Sequence, residues 1–376
     1  MTATVDLGVT ILPTDHANWK LFPGEGYKFL LDMLDSRAVF LDVRDLNELG
    51  EDPREWDDDD LLEHISVDRW SRQNADRDVK ARTQRRVSQA DRLNLTLVKG
   101  LLQTAKKGDL VLVPHPGSTG AVSIGQFTDA PGRVVSLELS DEGESSTYLG
   151  RRVKWLPSWS KRSAPESLVD LLQTPVSFFG LGDLARQKIY TIAFGSFVHD
   201  GVNVASFYTQ KELFTSRDNR LLSSWIELME ALSASTESPK AAAAVKAAAD
   251  LYDIIDLASI DDEDRMDLAI NINSPGSVLM RAIGQTPLVA IALFPMAVAG
   301  LSYTEALNAQ VTAPVVGSAS DACVGQVAES VQQILRNMGA QKWRKACQLA
   351  RATSEDATVR SQSRLRQEPP ARRRRR

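Results

Sequence analysis

Short apolar runs bounded by Gly, Pro, Asp or Ser dominate residues 107–155. They fall at 107–114, 121–127, 134–139 and 150–157 and are rich in Val, Ile, Leu and Phe. That pattern predicts short strands joined by tight turns, and four of them in series predict a small curled sheet or barrel. Upstream, 18–22 reads as a strand running into Pro23-Gly24. Tyr27, Leu30, Leu31 and Leu34 then repeat at helical spacing, and 38–43 reads as another strand. A helix over 93–105 leads into the strand series, and a helix at 167–173 and a strand at 176–179 close this unit near residue 185. Residues 1–16 read as a loosely ordered lead, so the first domain is expected over 17–185.

Downstream, apolar runs at 189–197 and 202–208 flank His199-Asp200-Gly201, a hairpin signal. Thr215-Ser216-Arg217-Asp218 precedes Leu221, Leu222, Trp225, Ile226, Leu228 and Met229, which predicts a capped amphipathic helix. Residues 240–251 are Ala-rich with strong helix propensity, and Val324, Val327, Val331, Ile334, Leu335 and Met338 mark one side of a further helix. The 23 residues 282–304 carry no formal charge. They read either as buried helices or as a membrane-inserting segment; a span takes about 20 apolar residues, and Pro295 interrupts this one. The second domain is expected over 186–350, α+β to helical, with a disordered basic tail over 351–376. The fold class is therefore α+β.

Composition changes this picture little: 43% hydrophobic and 25% charged residues are ordinary for a globular chain of 376 residues. Two cysteines, Cys323 and Cys347, are too few for a disulfide framework, and no apolar signal segment opens the chain, so a reducing cytoplasm is expected. Charge is more informative. Residues 341–376 hold twelve Lys/Arg against three acidic residues, +9, so the rest of the chain carries −14 of the net −5. An acidic body confines any nucleic-acid contact to local patches or the tail. The tail's Arg372–Arg376 run suits nucleic acid, an acidic partner or anionic lipid equally. The run of Asp57, Asp58, Asp59 and Asp60 reads as a helix start or as a metal or partner site, and the Arg/Lys series over 69–92 as a solvated helix face or a phosphate track.

Catalytic motifs are sparse. Gly180-Leu181-Gly182-Asp183-Leu184-Ala185 matches only the loose form of a dinucleotide fingerprint. The loop His115-Pro116-Gly117-Ser118-Thr119-Gly120 is polar and permissive but lacks the Gly-Lys-Ser/Thr ending of a phosphate-cradling loop. His16, His64, His115 and His199 lack zinc-ligand spacing, and no Gly-x-Ser-x-Gly elbow is present. No metal or cofactor is expected, and the reading leans away from an enzyme.

Taken together, Trp19 before its Gly turn, Val39–Val43, Lys107-Gly108-Asp109-Leu110-Val111-Leu112-Val113-Pro114, Ile124-Gly125-Gln126-Phe127, Arg151-Arg152-Val153-Lys154-Trp155 and Val176-Ser177-Phe178-Phe179 resemble the PUA/EVE-like N-terminal modules of Mrr-type restriction endonucleases and other bacterial phage-defence proteins. The resemblance covers roughly residues 17–182, under half the chain. It implies a concave face that reads DNA or RNA, in some relatives a modified or flipped base. Such a face needs stacking rings, hydroxyl or backbone donors and cations. By position Trp19, Phe22, Tyr27, Ser118, Thr119, Arg152 and Trp155 supply them, although Trp19 and Trp155 also read as barrel core. The acidic-x-Lys strand of the DNA-cutting relatives has no counterpart after residue 185. The leading expectation is a non-enzymatic nucleic-acid sensor that assembles with itself or signals to a protein partner. Alternatives are a membrane-acting effector using 282–304 and a divergent nuclease subunit.

Overall fold

The structure is a computed structural model that describes residues 3–73, 87–117, 120–141, 144–163, 166–174, 176–183, 186–257, 267–271, 276–283, 288–298, 301–316 and 321–367. The chain divides into two units: a middle unit, Asp15–Ala193, and a composite unit, Met1–Thr14 with Phe194–Arg376.

The first strands belong to the composite unit. β1 (Ala3–Asp6) and β2 (Val9–Ile11) replace the expected loose lead. Their alternation buries Val5, Leu7 and Val9 completely. Their partners explain why the sequence hides them: β1 lies between strands at residues 310–312 and 364–367, some 300 positions away.

In the middle unit the elements are β3 (Asn18–Leu21), α1 (Leu30–Ser36), β4 (Ala38–Arg44), α2 (Asp58–Gln73), α3 (Gln89–Lys99), β5 (Leu110–Pro114), β6 (Ala121–Phe127), β7 (Val135–Asp141), β8 (Glu144–Trp155), β9 (Trp159–Ser160), α4 (Glu166–Gln173), β10 (Phe178–Gly180) and α5 (Arg186–Phe194). The sheet order is β10-β3-β5-β6-β8-β4, with β7 on β8 and β9 on β6. The four expected strands of the 107–155 series are present, but the sheet stays open rather than closing as a barrel, with β10 and β4 at its ends. A turn of π-helix, Gly100–Thr104, ends α3. Phe29, Phe40 and Tyr148 form an aromatic triangle in the core with centroids 5.1–5.4 Å apart.

Two features of this unit settle ambiguities of the sequence. Arg69 of α2 is paired with the fully buried Asp91 of α3 at 2.6 Å, and Asp91 also closes a capping box with Ser88. Arg72 reaches Asp42 and Asp68. Arg69 and Arg72 therefore act in ion pairs; residues 74–86 of the same basic run lie outside the described residues. The fingerprint-like Gly180 ends β10, which is antiparallel to β3, whereas a dinucleotide motif needs a parallel β-α-β unit.

The composite unit continues with β11 (Ser196–His199), β12 (Val202–Thr209), α6 (Ser216–Glu237), α7 (Pro239–Ala247), α8 (Leu251–Leu257), β13 (Asp267–Asn271), β14 (Gly276–Ile283), α9 (Leu288–Val298), α10 (Tyr303–Leu307), β15 (Gln310–Thr312), α11 (Asp321–Glu355), β16 (Val359–Arg360) and β17 (Arg364–Gln367). One sheet runs β13-β14-β12-β11-β2, with β16 on β12; a smaller one runs β15-β1-β17. The Asp200-Gly201 hairpin is present, both residues at positive φ (47° and 73°), the geometry a type I′ turn requires. The run expected as a strand over 189–197 is helix α5 to Phe194 and becomes strand only at Ser196. Thr215 and Asp218 form the capping box at the start of α6.

The apolar segment 282–304 begins as the end of β14 and centres on α9, whose Leu293, Phe294 and Val298 lie in the same core as Trp225, Met229 and Trp343. Among the described residues no helix is long and apolar enough to cross a membrane. The expected disordered tail over 351–376 is in part structured: α11 continues to Glu355, Ala357 and Val359 are buried, and β17 pairs residue for residue with β1. Edge-strand hydrogen bonds, rather than an apolar run, hold this polar stretch. Residues 368–376, with the terminal arginines, lie outside the described residues.

Candidate nucleic-acid interface

The strongest candidate in the middle unit forms around the end of β8. Along this strand Arg151 and Val153 are buried while Arg152 and Lys154 are exposed, the two-residue alternation of a half-buried strand. Arg152 and Lys154 thus reach solvent from one face. Trp155 follows, half-buried; its ring lies over Gly125 of β6, where an added Cβ would stand 3.1 Å from the Trp155 ring, Val111 and Val153. The indole Nε1 is buried without an acceptor among the described residues.

Arg37 comes to the same place by a different route. It ends α1 in the left-handed conformation (φ 54°, ψ 39°), and its carbonyl accepts the Val153 N–H at 2.9 Å. Thr128 is fixed from the other side by donating its N–H to the Arg152 carbonyl at 3.1 Å. The result is a pocket of about 900 Å³ lined by Ser36, Arg37, Thr128, Arg152, Lys154 and Trp155, with β7 residues 135–137 completing the wall. Among the described residues no carboxylate lines it. Arg37, Arg152 and Lys154 form no ion pair with a described residue.

Neighbouring Arg151 is inward and fully buried. Its guanidinium donates to the carbonyls of Leu101 and Ala105 at 3.0 Å each and of Asp129 at 2.6 Å, and stands 4.9 Å over the Phe127 ring. Burial pushes it down to about 10. This cation serves the backbone of the π turn, not a ligand. Lys161 acts similarly, donating to the carbonyls of His115 and Gly117 at 2.6 and 2.9 Å and bracing the loop between β5 and β6. On that loop the His115 ring Nε2 lies 2.8 Å from Ser123 Oγ; burial first, and then Lys161, holds the imidazole below its ordinary pKa.

Of the five expected site residues that are described, Arg152 and Trp155 share this pocket and Trp19, Phe22 and Tyr27 do not. Trp19 is stacked on Phe178 (4.9 Å, 9° between planes) and donates its Nε1–H to Asp109 at 2.9 Å. It lines a separate apolar groove of about 630 Å³ with Leu93, Leu97 and Phe178. Phe22 and Tyr27 pair with each other at 4.8 Å and line neither cavity. Ser118 and Thr119 lie outside the described residues. Lys154, Arg37 and Thr128 were missed. The Arg-x-Lys spacing in a strand signals Lys154, whereas Arg37 and Thr128 are placed only by tertiary hydrogen bonds. No family model, curated protein or solved structure matches the chain.

Proposed function

We propose that the middle unit binds nucleic acid through the pocket around Trp155, with Arg37, Arg152 and Lys154 on phosphates and the indole edge toward a base. The observation that supports this is charge placement. In a chain whose first 340 residues carry −14, three cations free of ion pairs with described residues converge on one cavity that no described carboxylate lines. Such cations serve an anionic ligand better than they serve stability, because exposed charges contribute little to folding. The PUA/EVE-like resemblance extends the proposal to a non-enzymatic sensor in bacterial phage defence, the composite unit assembling with a second copy or signalling to a partner.

Fluorescence anisotropy with labelled single- and double-stranded DNA and RNA tests it. Binding is expected to weaken with salt at a log–log slope of about −2 to −3, the value for three phosphate contacts. The Arg152→Ala/Lys154→Ala pair should reduce that slope by about 2. A folded double variant that binds every oligonucleotide as the parent does overturns the assignment.

A further inference from the structure

A second pocket lies wholly within the composite unit, and its chemistry differs from the first. Gly339 stands at φ 69°, ψ 175° inside α11 and divides it into two helical segments, the second running from Ala340 to Glu355. The break releases backbone groups on both sides, since the last carbonyls of one helix and the first N–H groups of the next lose their intrahelical partners. On the upstream side one is satisfied: the Tyr303 hydroxyl donates to the Leu335 carbonyl at 3.0 Å. On the downstream side the first turn opens on a cavity of about 300 Å³ lined by Ala340, Trp343, Arg344, Gln348, Arg351 and Ser302.

Among the described residues the charged side chains lining this cavity are both cationic, Arg344 and Arg351. Arg344 is exposed and forms no ion pair with a described residue, and Arg351 follows two turns later on the same helix face. Trp343 is 2% exposed, and its indole Nε1 has no acceptor among the described residues. Among the described residues no carboxylate lines the cavity. Glu305, the acidic residue beside Ser302, is held by the Ser302 N–H and hydroxyl in a capping box. The Cys347 thiol at the wall is pushed up to about 12 by burial, so it brings no negative charge at neutral pH. A helix N-terminus, an indole N–H and the Arg344 guanidinium, which forms no ion pair with a described residue, define an anion site. The apolar wall of Leu301, Trp343 and Cys347 selects an organic body rather than a bare inorganic ion.

We propose that this pocket binds a small organic anion, a carboxylate or phosphate ester with a compact apolar body, whose charge pairs with Arg344 at the start of the Ala340–Glu355 segment. The size suits this class, because about 300 Å³ is the lower end of small-molecule sites. The proposal is independent of nucleic-acid binding in the middle unit.

Isothermal titration calorimetry on the full chain, with benzoate and phenyl phosphate as anionic probes and benzamide as the neutral isostere, decides it. At least one anion is expected to bind with a dissociation constant of about 1 mM or tighter and benzamide about tenfold more weakly. Arg344→Gln, a change at an exposed position, should keep the melting temperature and cost about tenfold in affinity for the anion. Trp343→Phe, which keeps the ring but removes the N–H, should cost a smaller factor of about three. Equal binding of benzamide reduces the cavity to an apolar cleft and overturns the proposal. So does unchanged affinity in Arg344→Gln, or no heat from either anion up to about 10 mM, a concentration at which even such weak sites fill.

Discussion

Arg151 and Arg152 are consecutive in β8 and face opposite ways: the first is fully buried on three backbone carbonyls, the second is exposed at the pocket. Their substitutions should therefore separate stability from binding. Arg151→Ala leaves the Leu101, Ala105 and Asp129 carbonyls unpaired and opens a cavity, at a cost of about 3 kcal/mol or more. Arg152→Ala should change stability by less than about 0.5 kcal/mol. Urea denaturation of both variants, beside oligonucleotide binding, checks the contrast. Equal stability of the two would show that the buried guanidinium does not hold the π turn.

Asp91 ties α2 to α3 through Arg69 and caps α3 through Ser88, so Asp91→Ala removes both at once. The expected loss is about 2–4 kcal/mol. Burial alone would raise this carboxyl; the hydrogen bonds from Arg69 and Ser88 outweigh it and hold the pKa below its ordinary value. A depressed folded pKa contributes stability that is complete above the unfolded value of about 3.9 and disappears as pH falls through the folded one. Acid titration should therefore show a drop in the parent below about pH 4 that is smaller in Asp91→Asn.

These contacts mark how far the sequence could be read. The series β5 to β8 was legible because apolar alternation and Gly/Pro boundaries coincide within each run. β1 and β17 carry a weaker pattern and gain their order from each other across more than 350 residues, which no local window contains. The site divides in the same way. Arg152 is legible from its place in a strand, but Arg37 stands at a helix end and reaches the pocket only because its carbonyl receives the Val153 N–H. Trp19 has a ring and a polar edge fit for a ligand; its stacking on Phe178 and its bond to Asp109, 90 positions on, are invisible in sequence.

Lys20 is fully buried in β3, donates to the carbonyls of Thr174 and Val176 at 2.5 and 2.6 Å and has no carboxylate partner among the described residues. Burial pushes its ammonium down to about 8. The unfolded chain, with a lysine near about 10.4, then binds more protons than the folded one between the two values, so stability should rise as pH climbs through that window. The rise should be shallower in Lys20→Met. Guanidinium unfolding of parent and variant at several points from about pH 7 to 10.5 measures it; parallel curves would mean that the two carbonyls and the Phe22 ring, 4.9 Å away, keep Lys20 charged throughout.

Gly125 connects the core to the proposed interface. A methyl group there would press at 3.1 Å on the Trp155 ring, on Val111 and on Val153 at the same time, and two of these neighbours are buried core. The valines sit on adjacent strands and cannot retreat, whereas Trp155 has the pocket beside it, so the strain should resolve by moving the indole into the cavity. Gly125→Ala should cost about 1–3 kcal/mol, the usual range for overpacking. It should also weaken oligonucleotide binding while leaving the salt slope intact, since all three cations remain. Arg152→Ala should do the reverse, lowering the slope with little change in stability. A Gly125→Ala protein that is destabilised yet binds with parental affinity would remove Trp155 from the interface and leave the cations alone to carry it.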